Sequence, residues 1–137
     1  MITLLPNTSG QKIYTTAYQG RALLDESFSD YLIIFYQALG SIEYALIGEI
    51  DTDNSRYTAF YIDTDADAPT SGNVLIPSDI NGIFNYYIYG QNSATNLDPM
   101  DADVVGIVEQ GLLRVGNPTE TFEANNVPEP TFKSYAG

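Results

Sequence analysis

The segment Ile83-Phe-Asn-Tyr-Tyr-Ile-Tyr89 constrains the fold of this chain more than any other. Phe84, Tyr86 and Ile88 alternate with Asn85, Tyr87 and Tyr89, a period of two that an extended strand converts into two distinct faces. One face then belongs to a core and the other is amphipathic and partly wet. Residues 31–38, YLIIFYQA, make the same point differently. They are β-branched and aromatic without a helical stripe, as in a strand covered on both faces.

The remaining strands follow from pattern and punctuation. Residues 43–50, EYALIGEI, read as a strand, the turn formers Asp51, Asp53, Asn54 and Ser55 follow, and 56–63, RYTAFYID, resumes a strand. The pair predicts a hairpin, with Tyr57, Ala59 and Tyr61 on one face of its second strand and Thr58, Phe60 and Ile62 on the other. Residues 64–73 are loop formers, and 74–77, VLIP, allow a brief strand. Residues 103–115 read as one bent strand, because Gly106 and Gly111 weaken a helix and suit a bulge. At the front, 2–5 and 12–18 read as strands, and 21–28, RALLDESF, is the one segment where a helical turn competes.

About seven or eight strands at roughly 8–12-residue spacing predict an all-β, two-sheet sandwich. A jelly roll is the alternative, since strand number does not fix pairing order. A chain of 137 residues fits one such domain. The expected boundary is Gly116: residues 1–116 form the sandwich, and 117–137 an extended arm. That arm is broken by Pro118, Pro128 and Pro130, with Phe122, Phe132 and Tyr135 as its apolar anchors. These three anchors are candidate partner-binding residues, because an extended segment can add to a neighbour's sheet edge or thread along a groove.

Charge and missing residue types narrow the function. Eighteen acidic against five basic side chains leave a net charge of -13, which repels nucleic acid and anionic membranes. Basic protein surfaces or divalent cations are the natural partners. The amino terminus lacks the basic start and unbroken apolar run of a secretory signal, so a chain made and used in solution is expected. With no histidine and no cysteine, the chain lacks the usual general base, the usual zinc ligands and a thiolate nucleophile. Ser41, Ser71 and Ser78 therefore have no histidine to activate them. Glu43, Glu49 and Glu109 are the carboxylates a glycoside hydrolase would have to pair, and the solvated face of a strand is the ordinary place for each. No enzyme is expected.

Two loops repeat Ile-Asp-Thr-Asp, at Asp51 and Asp53 and again at Asp63 and Asp65. Alternating Asp supplies the hard oxygens that calcium prefers, so these four are candidate ligands for a weakly bound calcium ion. Arg56 and Ala68 stand where a helix-loop-helix calcium loop needs Gly, and solvated Asx turns are the competing expectation. No other cofactor is expected. Among the eleven tyrosines, Tyr87 and Tyr89 on the wet face of their strand are candidate partner contacts, for a subunit or for a sugar.

Residues 82–116 carry a strand with Tyr86-x-Ile88-Tyr89, a loop Ser-Ala-Thr-Asn-Leu-Asp-Pro over 93–99, and a closing strand Val-Glu-Gln-Gly-Leu-Leu-Arg-Val over 108–115. With the opening Met-Ile-Thr-Leu, this resembles small virion proteins of Bacteroidetes-infecting and crAss-like tailed phages. The motifs cover roughly a third of the chain. The resemblance implies an immunoglobulin-like sandwich, present in multiple copies as a capsid decoration, minor capsid or fibre protein, with other virion proteins such as the major capsid protein as partners. It implies no catalytic residue. A tail or fibre module that binds host-surface carbohydrate is the alternative.

Overall fold

The computed structural model describes residues 2–24, 27–39, 41–54 and 56–116. The expected arm, with Phe122, Phe132 and Tyr135, lies outside them. Among the described residues, eight strands and one α-helix form in the order β1 (Ile2–Leu4), β2 (Lys12–Thr15), α1 (Ala17–Leu24), β3 (Asp30–Gln37), β4 (Ile42–Ile47), β5 (Glu49–Asp53), β6 (Thr58–Tyr61), β7 (Gly82–Gln91) and β8 (Val104–Val115), with a 3-10 turn over Pro69–Ser71.

The strands build two sheets, β1-β8-β7-β3-β4 and β2-β6-β5. All pairs are antiparallel except β1 with β8. This order places β8, β7, β3 and β4 in one sheet against β2, β6 and β5 in the other, a two-sheet sandwich, here without a disulfide. Where such a bridge joins the sheets of antibody domains, apolar packing does the work. Ile13 and Phe60 from the small sheet meet Ile33, Phe35, Phe84 and Ile88 from the large one, all buried in one cluster.

The alternation read from the sequence holds in β7: Phe84, Tyr86 and Ile88 point into that cluster. Residues 31–35 of β3 are buried on both faces, as expected for this run. β8 is one long strand whose register against β7 shifts twice, between Ile88 and Tyr89 and between Gly90 and Gln91. The extra residues are Val108 and Val105, close to Gly106, so the expected bend is a pair of bulges.

Three expectations need correction. The 12–18 strand stops at Thr15 and α1 begins at Ala17, earlier than the helical turn expected at 21–28. The helix exists because it fits the flank of the sandwich. Ala17 is buried, and a Cβ at Gly20 would lie 1.8 Å from the Val108 carbonyl oxygen, so only glycine lets the helix lie against β8. The 43–50 run is two strands: β4 pairs with β3, the chain crosses to the other sheet at Gly48, and β5 pairs with β6 as the expected hairpin. Asp51 and Asp53 thus belong to β5, and the turn is held by Asn54, whose Oδ1 accepts from the backbone N–H of Arg56 and Tyr57. Residues 74–77 form no strand. Val74 and Ile76 plug the core and bond singly to the Asp63 and Thr64 carbonyls.

Candidate interaction surface

Each sheet has an outer face, and the two differ in chemistry. On the large sheet the register aligns Ile47, Leu32, Tyr89 and Ile107 in one row. Ala45, Ile34, Tyr87 and Gln110 form the next, and Glu43, Tyr36, Asn85 and Leu112 the third. Ile83 and Arg114 follow at the end of β7 and β8. In a chain this acidic, these rows are poor in charge: Glu43 and Arg114 are the charged members, at the end of the face, and the rest are apolar or neutral polar.

Half of this face has its own cover. Leu32, Ile34 and Ile47 are buried beneath Leu97 and Val104, which come from the loop between β7 and β8 and its exit. Gln91 fixes that loop from below. Its fully buried amide donates to the carbonyls of Ser93 and Asn96 at 2.9 and 3.0 Å and accepts from the Asn96 amide at 2.8 Å. Asx turns at Asn96, Asp98 and Asp101 keep the rest of the loop in shape. The loop that carries the Ser-Ala-Thr-Asn-Leu-Asp-Pro motif is therefore a built cap.

The other half is open. Leu112 is 51% exposed, Ile83 43% and Ile107 42%. A shallow groove of about 390 Å³ runs between β7 and β8, lined by Asn85, Tyr87, Gln110 and Leu112. Tyr87 and Tyr89, the expected contact residues, both stand on this face, half-buried, with ring centroids 6.5 Å apart. Burial and the neighbouring Tyr87 push the Tyr89 phenol up from its ordinary range. Sequence reasoning missed Leu112, Ile83 and Ile107, since alternation marks a second face but not whether anything covers it.

The small sheet is polar outside. Asp51 pairs with Lys12 at 3.1 Å and accepts from Thr52, and bonds from Tyr61 and Lys12 hold its carboxyl below the usual range. Asp53 faces the opposite way, to Arg21 at 3.2 Å and the Thr58 hydroxyl at 2.8 Å. Asp63 accepts from the Gly10 N–H at 2.6 Å, and Asp65 is exposed. The four expected calcium ligands are thus kept apart, and among the described residues no three acidic side chains gather at one point.

The carboxylates weighed for glycoside hydrolysis are not brought together either. Glu43 is on the outer face of the large sheet and Glu49 is in the small one. Glu109 turns inward, where it accepts from the Thr16 N–H and hydroxyl at the start of α1 and from the Tyr86 hydroxyl. Burial, reinforced by Glu109, raises the Tyr86 phenol far above its ordinary value. No helix among the described residues is long and apolar enough to cross a membrane. No family model, curated protein or solved structure matches the chain.

Proposed function

We propose that this chain is a non-enzymatic structural protein of a phage virion, present in many copies and bound to the capsid as a decoration or minor capsid protein. One observation supports a building role above the rest: the open half of the large sheet's outer face, where Leu112, Ile83 and Ile107 stand exposed beside Tyr87. An apolar, charge-poor sheet face in a chain of net charge -13 gains most by being covered by protein. The phage setting comes from the resemblance of residues 82–116. On this reading the protein is assembled in the host cytoplasm, and the major capsid protein and other copies of the chain are its partners.

Fitting the fold into a map of the intact particle tests the proposal. Density for many symmetry-related copies, with the outer face of the large sheet against capsid, supports it; absence from the particle overturns it. A second reading, a tail or fibre module for host-surface carbohydrate, draws on the small sheet. There the Tyr14 ring is 59% exposed, edge-on to Tyr57 at 5.5 Å, and could stack on a sugar. Glycan-array binding lost in Tyr14→Ala but kept in Tyr87→Ala would favour that reading.

A further inference from the structure

The flank of the sandwich beside β2 is incompletely closed. There α1 packs against β8 near Gly106 and Val108, and β1 pairs with β8 over Leu113–Val115. Between them lies a cleft of about 480 Å³, lined by Ile2, Lys12, Ile13, Tyr14, Tyr86 and Leu112. β2 forms one wall, and it is the last strand of its sheet, paired with β6 alone among the described residues.

The ladder shows which backbone groups of β2 are left over. The Ile62 N–H donates to the Gln11 carbonyl at 3.0 Å, so Gln11 and Ile62 are a hydrogen-bonded pair. Bonded pairs alternate in an antiparallel ladder, which makes Ile13 with Phe60 and Thr15 with Thr58 the next two. Lys12 and Tyr14 therefore aim their N–H and C=O groups away from β6, toward the open side. An immunoglobulin sandwich commonly carries a fourth strand at that position. Here the first strand joins the other sheet, and among the described residues none takes its place. Lysine at an edge ordinarily discourages pairing. Lys12 is instead drawn back over the sheet, onto Asp51 and the Tyr61 ring.

We propose that this edge receives Thr131–Tyr135 from a second copy of the chain as an added strand, with Phe132 in the cleft. The proposal rests on the multicopy reading and names the partner segment. Thr131-Phe-Lys-Ser-Tyr135 is rich in strand formers, and alternation that turns Phe132 inward turns Lys133 and Tyr135 outward. Lys133 is the one basic residue beyond Arg114, and it then lies toward the acidic outer face that carries Glu49 and Asp51. Residues 117–130 separate the segment from Gly116, a spacer that can span about 45 Å when extended, enough to reach a neighbour. Main-chain bonds to Lys12 and Tyr14 would give affinity, and the Phe132 ring specificity.

Amide exchange at Lys12 and Tyr14, followed by NMR on the full chain across a concentration series, tests this alongside sedimentation. The expected result is slowing of at least about tenfold at both amides as concentration and mass rise together. Phe132→Ala and Lys133→Glu should abolish the slowing without changing the melting temperature of the dilute, unassociated chain. Fast exchange at every concentration, or slowing that survives Phe132→Ala, overturns the proposal. Slowing independent of concentration but lost in Phe132→Ala would mean the chain's own tail docks, and overturns the second-copy assignment. If the chain still self-associates, and Ile83→Lys prevents it while Phe132→Ala does not, the edge proposal fails and the multicopy reading stands.

Discussion

Tyr86 and Tyr87 are adjacent in β7 and serve opposite halves of the molecule. The Tyr86 ring is buried between the sheets, its hydroxyl bonded to Glu109, which in turn holds the start of α1. The Tyr87 ring lies on the outer face against Tyr89 and the covered patch of Leu32, Ile34 and Ile47. The same side chain thus contributes to folding at one position and to recognition at the next, and the pleat alone decides which. Substitutions on the inner face away from the cleft beside β2 should change stability and leave association of the folded chain alone; substitutions on the open outer face should do the reverse.

The largest inner-face effect is expected for Phe84→Ala. It empties a fully buried site in the central strand and should cost about 3–5 kcal/mol in denaturant unfolding, while the fraction that stays folded associates normally. Gly20→Ala should cost about 1–3 kcal/mol or more, because its methyl meets the Val108 backbone and not a side chain that can turn away. Loss of far-UV helical signal together with stability would place the damage in α1.

Tyr86→Phe leaves the inward Glu109 short of one donor and should cost roughly 1.5–3 kcal/mol near neutral pH. It also carries a pH signature. The folded-state phenol is raised above its unfolded value of about 10, so its contribution is complete below that pH and is lost as pH rises beyond it. Wild type and Tyr86→Phe should therefore converge in strong alkali; a difference that stays constant there would contradict the burial of Tyr86.

On the outer face, Leu112→Lys should shift stability by no more than about 0.5 kcal/mol while weakening association, seen as a lower mass in sedimentation. A large stability loss from Leu112→Lys would break the division between faces. The smallest effect is expected from Asp51→Asn on the polar sheet. Its lowered carboxyl favours the folded state above the unfolded value of about 3.9, so any melting difference should fade as pH falls below that.

How much of this was legible in the sequence varies with the physics at each position. The alternation in 83–89 gave both faces of β7, because period two survives any context. The buried run in β3 and the glycine-marked bend of β8 were readable for similar local reasons. The helix was legible only at its end, where a helical turn competes from 21: α1 starts at Ala17, has Gly20 in its middle and is stabilised by a fit to β8 that no local pattern encodes. The split of 43–50 at Gly48 was hidden too, since the crossing is set by Phe60 packed beneath that glycine. At the candidate surface, Tyr87 and Tyr89 were found by alternation. Exposure of Leu112 depends on how far the loop between β7 and β8 extends, which is a tertiary fact. The partners of the first Ile-Asp-Thr-Asp were hidden for a related reason, because Lys12 and Arg21 reach Asp51 and Asp53 of β5 from distant parts of the chain.

Hydroxyl-radical footprinting of the protein, free and within purified particles, tests the central claim most directly. The account predicts that Tyr87, Ile83 and Leu112 lose labelling on assembly, while Tyr57 and Tyr61 on the small sheet's outer face keep theirs. Unchanged labelling of Tyr87, Ile83 and Leu112 in particles that contain the chain would contradict it.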